Sequence, residues 1–564
     1  MKIRTILFLV VLAVAYTVSF IRFSTRDIGE TAETTLIIAH AIPDRNVEAA
    51  FDAVARRYEA LHDGKIKVKI TSVPPRIYTQ WLRTQLIGDT APDAVQFLGT
   101  AGDWALLAQA YLIPLTGFVN APNPYNADTE LAAAPWRETF RNDMDSGYST
   151  HLLDYYLVPF SVSHERLIFN AELLAQIWPE PLPPHTLADW FHLCDLVDAR
   201  RAETGRPLYP LAITAEQRFA LYEEYFPVHT ADLMEDSDYW HTGHNQDDFI
   251  YYGMKSGTFD VKQARILAGL DLARQVLQRT QPTKDTDKSQ DVLMHFTQGR
   301  ALAMLGTPAD LAALRTLADF DTVLAPMPQP ETPDWRESGA YSATAYESTR
   351  FSKDQFSFGV TQGPRLAQTL DFLRYCTSQE ANETFCAALS WAPIIKGAQP
   401  RSPDLNVFYP VTDGAAVDLP WLESRAGPTS VFFRQFLPLY INGNLTADEF
   451  LDRLATTWDR EFLGGMQVRM NQRALDRRHR EFSVARAKAE MLFPEARSAA
   501  GAAIVGTKGR YPLALENAIN DPRISAVHQA ILSGDFRLPA YQHPDVIRAA
   551  AAQLASPVST PPSP

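Results

Sequence analysis

The segment from Gly88 to Phe97 constrains the fold more than any other part of this chain. The helical pattern before it ends at Gly88, because glycine accepts a positive φ angle at the end of a helix, and Pro92 prevents the helix from continuing. Ala94-Val95-Gln96-Phe97 then predicts a short buried strand. In an open α/β sheet the carboxyl end of such a strand faces a ligand crevice, so the segment predicts a binding edge as well as a sheet.

The elements before this segment alternate between strand and helix. Apolar or alternating runs predict strands, and apolar residues at helical spacing predict helices. The order strand, helix, strand, helix, strand implies a parallel sheet with right-handed crossovers. The predicted elements are a strand at 35–39, a helix at 46–62, a strand at 65–70, a helix at 77–87 and the strand at 94–97.

Length, charge and cysteine content limit the class of protein. The 564 residues exceed one ordinary domain, so we expect two lobes with appendages. The net charge of −14 argues against general nucleic-acid binding. The three cysteines show neither a CxxC motif nor zinc spacing, and Cys194 is predicted to be a buried thiol. Cys376 and Cys386 are either separate buried thiols, which we favour, or a pair if the chain bends back.

The N-terminus carries Lys2 and Arg4 before an apolar run from Ile6 to Ile21. This pattern is typical of an export signal or a membrane anchor. The run is slightly short for a spanning helix, which needs about 17–25 residues, and 13–15 offers an A-x-A cleavage site. We expect residues 1–29 to form an uncleaved anchor, and a cleaved signal is the alternative.

Five segments occur in the order and at the approximate spacing found in one protein family. Together they resemble the bacterial extracellular solute-binding proteins of ABC importers, in the group similar to maltose-binding protein, over roughly residues 34–463. The segments are the Gly-Asp-x-x-Pro-Asp turn at 88–93, Leu157-Val158-Pro159-Phe160 with Phe169-Asn170, Pro183-Pro184-His185-Thr186 with Asp189-Trp190-Phe191, Phe296 to Gly306, and Ser390-Trp391-Ala392-Pro393.

The resemblance implies a fold class and a domain organisation. We expect an α/β, two-lobed periplasmic-binding-protein-like fold of type II, with an N-terminal transmembrane or signal helix and a helical C-terminal extension. Lobe 1 would comprise 34–160 and 356–402, and lobe 2 would comprise 161–355 and 403–463. The helical extension would cover 464–554, and the Pro/Ser-rich residues 555–564 read as a disordered tail.

Motifs for catalysis are weak. The segment 501–508 has Thr and Lys transposed relative to a P-loop, the stretch from His164 lacks the second histidine of a zincin helix, and no GxSxG elbow occurs. His241 and His244 lie near four aspartates, but a solvated acidic loop is the simpler interpretation than a metal site. The prediction is therefore a protein that is not an enzyme and has no metal or cofactor.

The resemblance places candidate ligand-binding residues at strand ends and in loops that face a cleft between the lobes. Aromatic faces and hydrogen-bonding side chains of this kind suit sugars. A tryptophan more often packs in a core, and His40 is equally compatible with a structural role. The candidates are His40, Asp44, Gln96, Trp104, Ser163, His164, Trp240, Thr307 and Trp391.

The implied function is that of the substrate-binding component of an ABC importer. The chain would capture a carbohydrate between its lobes and deliver it to permease subunits in the inner membrane. We expect it on the periplasmic face of that membrane, or free in the periplasm if the signal is cleaved. The alternative is a membrane-anchored solute sensor or scaffold of the same fold, and an exported glycan-acting enzyme is less favoured because catalytic motifs are weak.

Overall fold

The structure of this chain is a computed structural model. It describes residues 33–42, 45–97, 103–149, 154–230, 233, 247–282, 289–328, 356–410, 428–460, 526–527 and 529–537. The predicted anchor at 1–29 and the tail at 555–564 lie outside the described residues. No helix among the residues described is both long and apolar enough to cross a membrane.

The first sheet has five strands, in the order β2-β1-β3-β11-β6. Strands β1, β2 and β3 are mutually parallel, as the alternating sequence pattern predicts, and β11 runs antiparallel to both β3 and β6. The strands are β1 (Thr34–His40), β2 (Ile66–Ser72), β3 (Ala94–Gln96), β6 (Leu157–Pro159) and β11 (Ser357–Val360), and a separate two-stranded ladder is formed by β4 (Tyr148–Ser149) and β5 (Asp154–Tyr155).

The second sheet has four strands, in the order β10-β7-β9-β8. Strand β9 is parallel to β8 and antiparallel to β7, and β7 is antiparallel to β10. All five residues of β7 and all six of β9 are buried, which is typical of central strands covered on both faces. The strands are β7 (Arg166–Asn170), β8 (Tyr209–Ala212), β9 (Ala301–Gly306) and β10 (Thr322–Ala325).

Helices cover the faces of both sheets, so the fold is mixed α/β. In chain order they are α1 (Arg45–Leu61), α2 (Pro75–Ile87), α3 (Asp103–Tyr111), α4 (Thr116–Val119), α5 (Ala171–Ile177), α6 (Leu187–Thr204), α7 (Ala215–Tyr225), α8 (Pro227–Thr230), α9 (Asp247–Ser256), α10 (Ala264–Gln278), α11 (Ser289–Thr297), α12 (Pro308–Leu317), α13 (Leu366–Cys376), α14 (Gln379–Leu389) and α15 (Pro428–Ile441). Residues 447–460 are also helical.

The turn at 88–93 differs in one detail from the expectation. Gly88 does cap α2, but its φ angle is −82°. The left-handed residue is Asp89, with φ of 54°. The last turn of α2 closes with the Gly88 N–H donating to the Thr84 carbonyl oxygen and the Thr90 N–H donating to the Gln85 carbonyl oxygen. Aspartate tolerates the left-handed region better than most residues. The residue with positive φ is therefore Asp89, one position later than the sequence predicts.

Each sheet has an apolar core on both of its faces. Phe51, Phe160 and Phe385 belong to the core on one face of the first sheet, and Tyr78 and Leu82 belong to the core on the other face. The second sheet is covered on one face by α6, α7 and α10, and on the other by α11 and α12. The two sheets therefore each have a hydrophobic interior of their own, as separate lobes require.

The three cysteines are free and buried. This confirms the prediction for Cys194, which lies on α6 with its side chain in the core. Cys376 and Cys386 are separate thiols, the interpretation favoured from the sequence. Burial raises the pKa of Cys386 and of Cys376, which keeps both in the inert thiol form.

A short C-terminal segment packs on the second sheet's core. Val527 and Ile531 are fully buried in that core, and the Tyr252 hydroxyl donates a hydrogen bond of 3.2 Å to the Phe536 carbonyl oxygen. The other residues of the predicted extension at 464–554 lie outside the described part of the chain. At least this segment is part of the folded body, because its apolar side chains contribute to the same core as α9 and α10.

Gly147 offers a test of how tightly the first lobe is packed. A Cβ atom at this position would lie 2.0 Å from the Leu157 carbonyl oxygen, and that oxygen is backbone that cannot rotate away. We expect Gly147→Ala to lower the free energy of unfolding by about 3 kcal/mol, measured by urea denaturation. Gly363→Ala is the control, because nothing lies within 4 Å of its Cβ position; equal stability of the two variants would contradict the packing described here.

Candidate functional site

Ends of four strands of the first sheet lie at the same edge. Strands β1, β3 and β6 all end there, and the antiparallel strand β11 begins there, as shown by the pairing of Phe358 with Gln96 and of Ser357 with Pro159. We call this edge, marked by His40, Gln96, Pro159 and Ser357, the first edge. In open α/β sheets the carboxyl ends of the strands border the ligand crevice.

The second sheet has an equivalent edge. Strands β8, β9 and β10 end there and β7 begins there, because Arg166 pairs with Gly306, Ala212 with Met304 and Ala325 with Leu167. We call this edge, marked by Arg166, Ala212, Gly306 and Ala325, the second edge.

Two chain connections join the first edge to the second edge. One is the six-residue segment 160–165 between β6 and β7, which can span at most about 20 Å. The other runs from the end of β10 to the start of β11 and lies partly outside the described residues. Both connections leave one edge and enter the other, so the chain passes twice between the first edge and the second edge.

A third segment, 391–409, runs beside the first connection. Ser161 forms a β-bridge with Pro393, and the His164 N–H donates a hydrogen bond of 2.8 Å to the Phe408 carbonyl oxygen. The Tyr409 hydroxyl donates across the segment to the Pro393 carbonyl oxygen at 3.0 Å. The connection and this segment therefore run side by side. Paired segments of this kind can act as hinges between domains, and we call this pair the hinge.

Arg166 fixes the hinge to the second sheet. Its side chain is fully buried. The guanidinium donates to the carbonyl oxygens of Glu165 at 2.8 Å, Val407 at 2.5 Å and Tyr409 at 2.6 Å. One side chain thus holds the start of β7 and the third segment together.

Gln96 shapes the first edge. Its Oε1 atom accepts a hydrogen bond of 2.8 Å from the Ala41 N–H, and its carbonyl oxygen accepts one of 2.6 Å from the Tyr78 hydroxyl. These contacts hold the loop after β1 against the end of β3. The side chain is buried, so it serves the architecture of the edge.

His40 lies inside the first edge. The imidazole is fully buried, with ring centroids 5.9 Å from Phe51 and 6.0 Å from Phe356. Among the residues that the structure describes, neither ring nitrogen has a hydrogen-bond partner of good geometry. Burial lowers the pKa of His40 to about 4, against a weaker opposing effect of the Ile42 backbone. The ring is therefore neutral at physiological pH.

Acidic and amide groups line the second edge. The Gln217 Nε2 atom donates to Glu165 Oε1 at 2.7 Å and to the Leu305 carbonyl oxygen at 3.0 Å. Gln217 is itself fixed because it forms a capping box with Thr214 at the start of α7. Glu165 is buried, with 8% of its surface exposed.

Asp310 adds a second carboxylate to this edge. It forms a capping box with Thr307 at the start of α12. Burial raises the pKa of Asp310, and the charge of Glu165 raises it further, although bonds from Thr307 act in the opposite direction. Asp310 lies in the first turn of α12, just after β9 ends, so its carboxylate adds a hydrogen-bond acceptor at the second edge.

The structure distributes the candidate residues over three places. Thr307 lies at the second edge, where its hydroxyl accepts from the Asp310 N–H. Trp391 lies beside the hinge with 8% exposure, its ring centroid 5.3 Å from that of Phe356. Trp104 on α3 is half-buried and packs on Phe97 with centroids 4.8 Å apart.

Ser163 is buried and His164 is partly exposed, and both lie in the connection to the second edge. His40 and Gln96 lie at the first edge. Asp44 and Trp240 lie outside the described residues. The assignment of these residues as ligand contacts stays a prediction.

Sequence reasoning missed Glu165, Gln217 and Asp310. The stretch containing Glu165 was considered only as an incomplete zincin motif. A capping-box pattern was present at Thr214-Ala215-Glu216-Gln217 and at Thr307-Pro308-Ala309-Asp310, and it would have indicated helices beginning at strand ends.

Comparison with known proteins agrees with this geometry. The sequence profile of the family described as bacterial extracellular solute-binding protein matches residues 53–407. The chain belongs to that family. This confirms the family expected from the five segments. Comparison with curated proteins gives no match.

Solved structures show the same fold. The unliganded form of RafE from Streptococcus pneumoniae is 16% identical, with a TM-score of 0.53, over 76% of this chain and 98% of RafE. The binding protein MsmE from Bacillus subtilis, in an open conformation, is 13% identical with a TM-score of 0.50, over 77% of this chain and 98% of MsmE. RafE in complex with raffinose gives a TM-score of 0.49 at 16% identity, over 75% and 98% of the two chains.

Proposed function

We propose that this solute-binding protein captures a carbohydrate between the first edge and the second edge and delivers it to the permease subunits of an ABC importer in the inner membrane. It acts by binding, without changing its solute. The observation that supports the proposal is the position of Glu165, Gln217 and Asp310 where strands of the second sheet begin or end, because open α/β sheets bind ligands at the carboxyl ends of their strands.

The chemistry of the second edge favours a ligand with many hydroxyl groups. Carboxylate oxygens accept hydrogen bonds from sugar hydroxyls, and an amide can both donate and accept. Glu165 and Gln217 are already held by contacts within the protein, so little conformational entropy is lost when they bind. The half-buried indole of Trp104 offers an aromatic surface of the kind that packs on a sugar ring.

Closure around the hinge couples binding to transport. A solute that touches both edges binds the closed form better than the open form, and it therefore shifts the equilibrium towards closure. We infer that the closed form docks on the permease. The division into lobe 1 (34–160 and 356–402) and lobe 2 (161–355 and 403–463) follows this motion, because the first sheet lies within the first set of ranges and the second sheet within the second.

Location follows from the N-terminal sequence and the family. Extracellular solute-binding proteins work outside the cytoplasm, and we infer that residues 1–29 anchor this chain so that it faces the periplasm. The type II arrangement of the lobes and the helical extension at 464–554 complete the proposed architecture.

A thermal-shift screen of the purified full-length chain tests the ligand class. A saturating oligosaccharide at about 100 times its dissociation constant should stabilise the folded state by about 3 kcal/mol. Amino acids and polyamines are screened in parallel. A shift with these compounds and none with any sugar would contradict the carbohydrate assignment. The alternative of a solute sensor is excluded if sugar uptake through the permease depends on this chain.

Glu165→Gln tests the role of the second edge. Removing the charge while keeping the shape should weaken carbohydrate binding about 10- to 100-fold, because hydrogen bonds to a charged group are worth about 1.5–3 kcal/mol. Isothermal titration calorimetry measures the affinity. Glu216→Gln is the matched control, since Glu216 is exposed on the same helix as Gln217; an equal loss in both variants would remove Glu165 from the site.

A further inference from the structure

A cavity of about 510 Å³ lies in the second lobe, beside the outer strand β8. Three helices contribute to its walls, through Arg218 on α7, Leu277 and Gln278 at the end of α10, and Ile441 at the end of α15. We call this space the flank cavity. Sites for small molecules typically enclose about 300–1,000 Å³, so the flank cavity has the size of a binding site.

The flank cavity lies where α10 and α15 both end. After α10 the Thr280 hydroxyl donates a hydrogen bond of 2.8 Å to the Leu277 carbonyl oxygen. After α15, Gly443 has a φ angle of 76°, which is typical of a residue that follows a helix end. Gln278 Nε2 donates to the Ile441 carbonyl oxygen at 2.6 Å and joins the two helix ends. These contacts hold the walls in place before a ligand binds.

On one side the flank cavity borders the end of β8. The Gln281 N–H donates a hydrogen bond of 2.8 Å to the Leu211 carbonyl oxygen, and Thr280 forms a parallel β-bridge with Leu211. Leu211 immediately precedes Ala212, one of the residues that mark the second edge. Thr280 and Gln281 line the flank cavity, so its wall is next to the second edge.

Helix α7 also connects the flank cavity with the second edge. Gln217 reaches the second edge, where its Nε2 atom donates to Glu165 Oε1 at 2.7 Å. The next residue, Arg218, lines the flank cavity. Consecutive side chains on a helix point about 100° apart, so these two side chains face neighbouring surfaces. An elongated ligand at the second edge therefore has the flank cavity beside it.

Gln281 carries a polar group that lacks a partner. Its side chain is 4% exposed, and among the residues described its Nε2 atom has no hydrogen-bond partner. A buried donor without a partner destabilises the folded state. The terminal torsion of a glutamine side chain is soft, so a rotation of the amide brings the nitrogen to a ligand hydroxyl in the flank cavity.

The lining combines apolar surface with uncharged polar groups. The apolar side chains, which suit the C–H groups of a sugar ring, are Leu277, Pro282, Pro438 and Ile441. The groups that exchange hydrogen bonds with hydroxyls are the amides of Gln278, Gln281 and Asn442 and the hydroxyl of Thr280. Within the described part of the chain the lining contains a cation, Arg218, and no carboxylate. This composition favours a neutral solute with many hydroxyl groups over a cationic solute such as a polyamine.

We propose that the flank cavity holds one sugar residue of an oligosaccharide whose remaining part lies along the second edge. The inference rests on the proposed function and narrows its substrate class. The preferred solute is an oligosaccharide long enough to reach from the second edge into the flank cavity, and a monosaccharide contacts the second edge alone. Binding is non-covalent and gives the Gln281 amide a hydroxyl partner.

The first test compares sugars of increasing length by isothermal titration calorimetry on the purified full-length chain. The probes are the members with one to four residues of the malto-, xylo- and chito-oligosaccharides, and galactose, melibiose, raffinose and stachyose. In the series that binds, we expect the affinity to rise at least about 10-fold at the length that reaches the flank cavity, since one hydrogen bond between neutral groups contributes up to about 10-fold.

Gln281→Leu tests the flank cavity itself. The substitution removes the amide and keeps a side chain of similar size. We expect about 10-fold weaker binding of the longest sugar and unchanged binding of sugars too short to enter the flank cavity. The urea midpoint should stay the same or rise, because an unpartnered buried donor is removed.

Gln275→Leu is the matched control. It is the same substitution on α10, at a side chain whose Nε2 atom donates to Asp271 Oδ2 at 2.7 Å and does not line the flank cavity. It should leave the affinity for every sugar unchanged. Glu165→Gln, in contrast, should weaken the binding of short and long sugars alike.

The outcomes separate this inference from the proposed function. Equal affinity for all lengths, or equal effects of Gln281→Leu on short and long sugars, would overturn the inference and leave the proposed function standing. Unchanged binding of the longest sugar by Gln281→Leu would do the same. If no member of any series binds, the inference and the carbohydrate assignment are overturned together.

Discussion

Replacing Arg166 with methionine is expected to lower the free energy of unfolding by about 3 kcal/mol or more. The substitution keeps an apolar stem of similar length but removes every donor. The carbonyl oxygens of Glu165, Val407 and Tyr409 then lose the guanidinium that pairs with them. An unsatisfied buried acceptor costs about 1–3 kcal/mol, so three of them exceed the usual effect of a single substitution.

Urea denaturation monitored by tryptophan fluorescence measures this loss. Arg166→Lys should fall between wild type and Arg166→Met, because a lysine keeps the charge but lacks the planar fork that reaches three acceptors. Arg200→Met is the control, since Arg200 is 45% exposed and, within the described part of the chain, forms its ion pair with the nearby Glu203. If Arg166→Met is no less stable than Arg200→Met, the hinge does not depend on this side chain.

Arg166 also has a consequence for the proposed motion. It binds the third segment to the beginning of β7, so both strands of the hinge enter the second sheet as one unit. We infer that closure bends the hinge on the side of the first sheet, near the bridge between Ser161 and Pro393. The fixed position of Glu165 next to Arg166 then keeps the second edge unchanged between the open and closed forms.

Local structure could be predicted from the sequence because its causes are local. The predicted helix at 77–87 is present as Pro75–Ile87, and the predicted strand at 94–97 is present as Ala94–Gln96. Thr186 and Thr446 cap helices, because each hydroxyl accepts a hydrogen bond from the N–H group three positions later, and such a cap is visible in the local sequence. The position of the left-handed residue at Asp89 was missed, because it depends on which carbonyl groups close the last turn of α2.

The candidate site was harder to predict because its contacts are distant in sequence. Glu165 and Gln217 are 52 residues apart, and they meet only because β7, β9 and α7 are neighbours in the second lobe. The sequence analysis expected His40 at a strand end and Trp391 in a loop that faces the cleft, but periodicity does not reveal in which direction such a side chain points. Both are now seen packed against Phe356.

The burial of His40 predicts a pH dependence of stability. Its pKa is about 4 in the folded chain, chiefly because of burial, against an ordinary value of 6.5. Between these two values the unfolded chain binds a proton that the folded chain does not bind. Stability from this group is therefore complete above about pH 6.5 and is lost as the pH falls towards 4. The difference in pKa corresponds to about 3 kcal/mol.

We expect the wild-type chain to lose about 3 kcal/mol more unfolding free energy between pH 7 and pH 4 than the variant His40→Gln, which cannot titrate. Urea denaturation at several pH values measures both slopes, and comparing slopes removes the contribution of the other acidic groups. His185→Gln is the control. The His185 side chain is 73% exposed, so replacing it should leave the dependence of unfolding free energy on pH unchanged. Parallel slopes for wild type and His40→Gln would mean that the imidazole is protonated equally in the folded and unfolded chain, and hence that water or a polar group reaches it at the first edge.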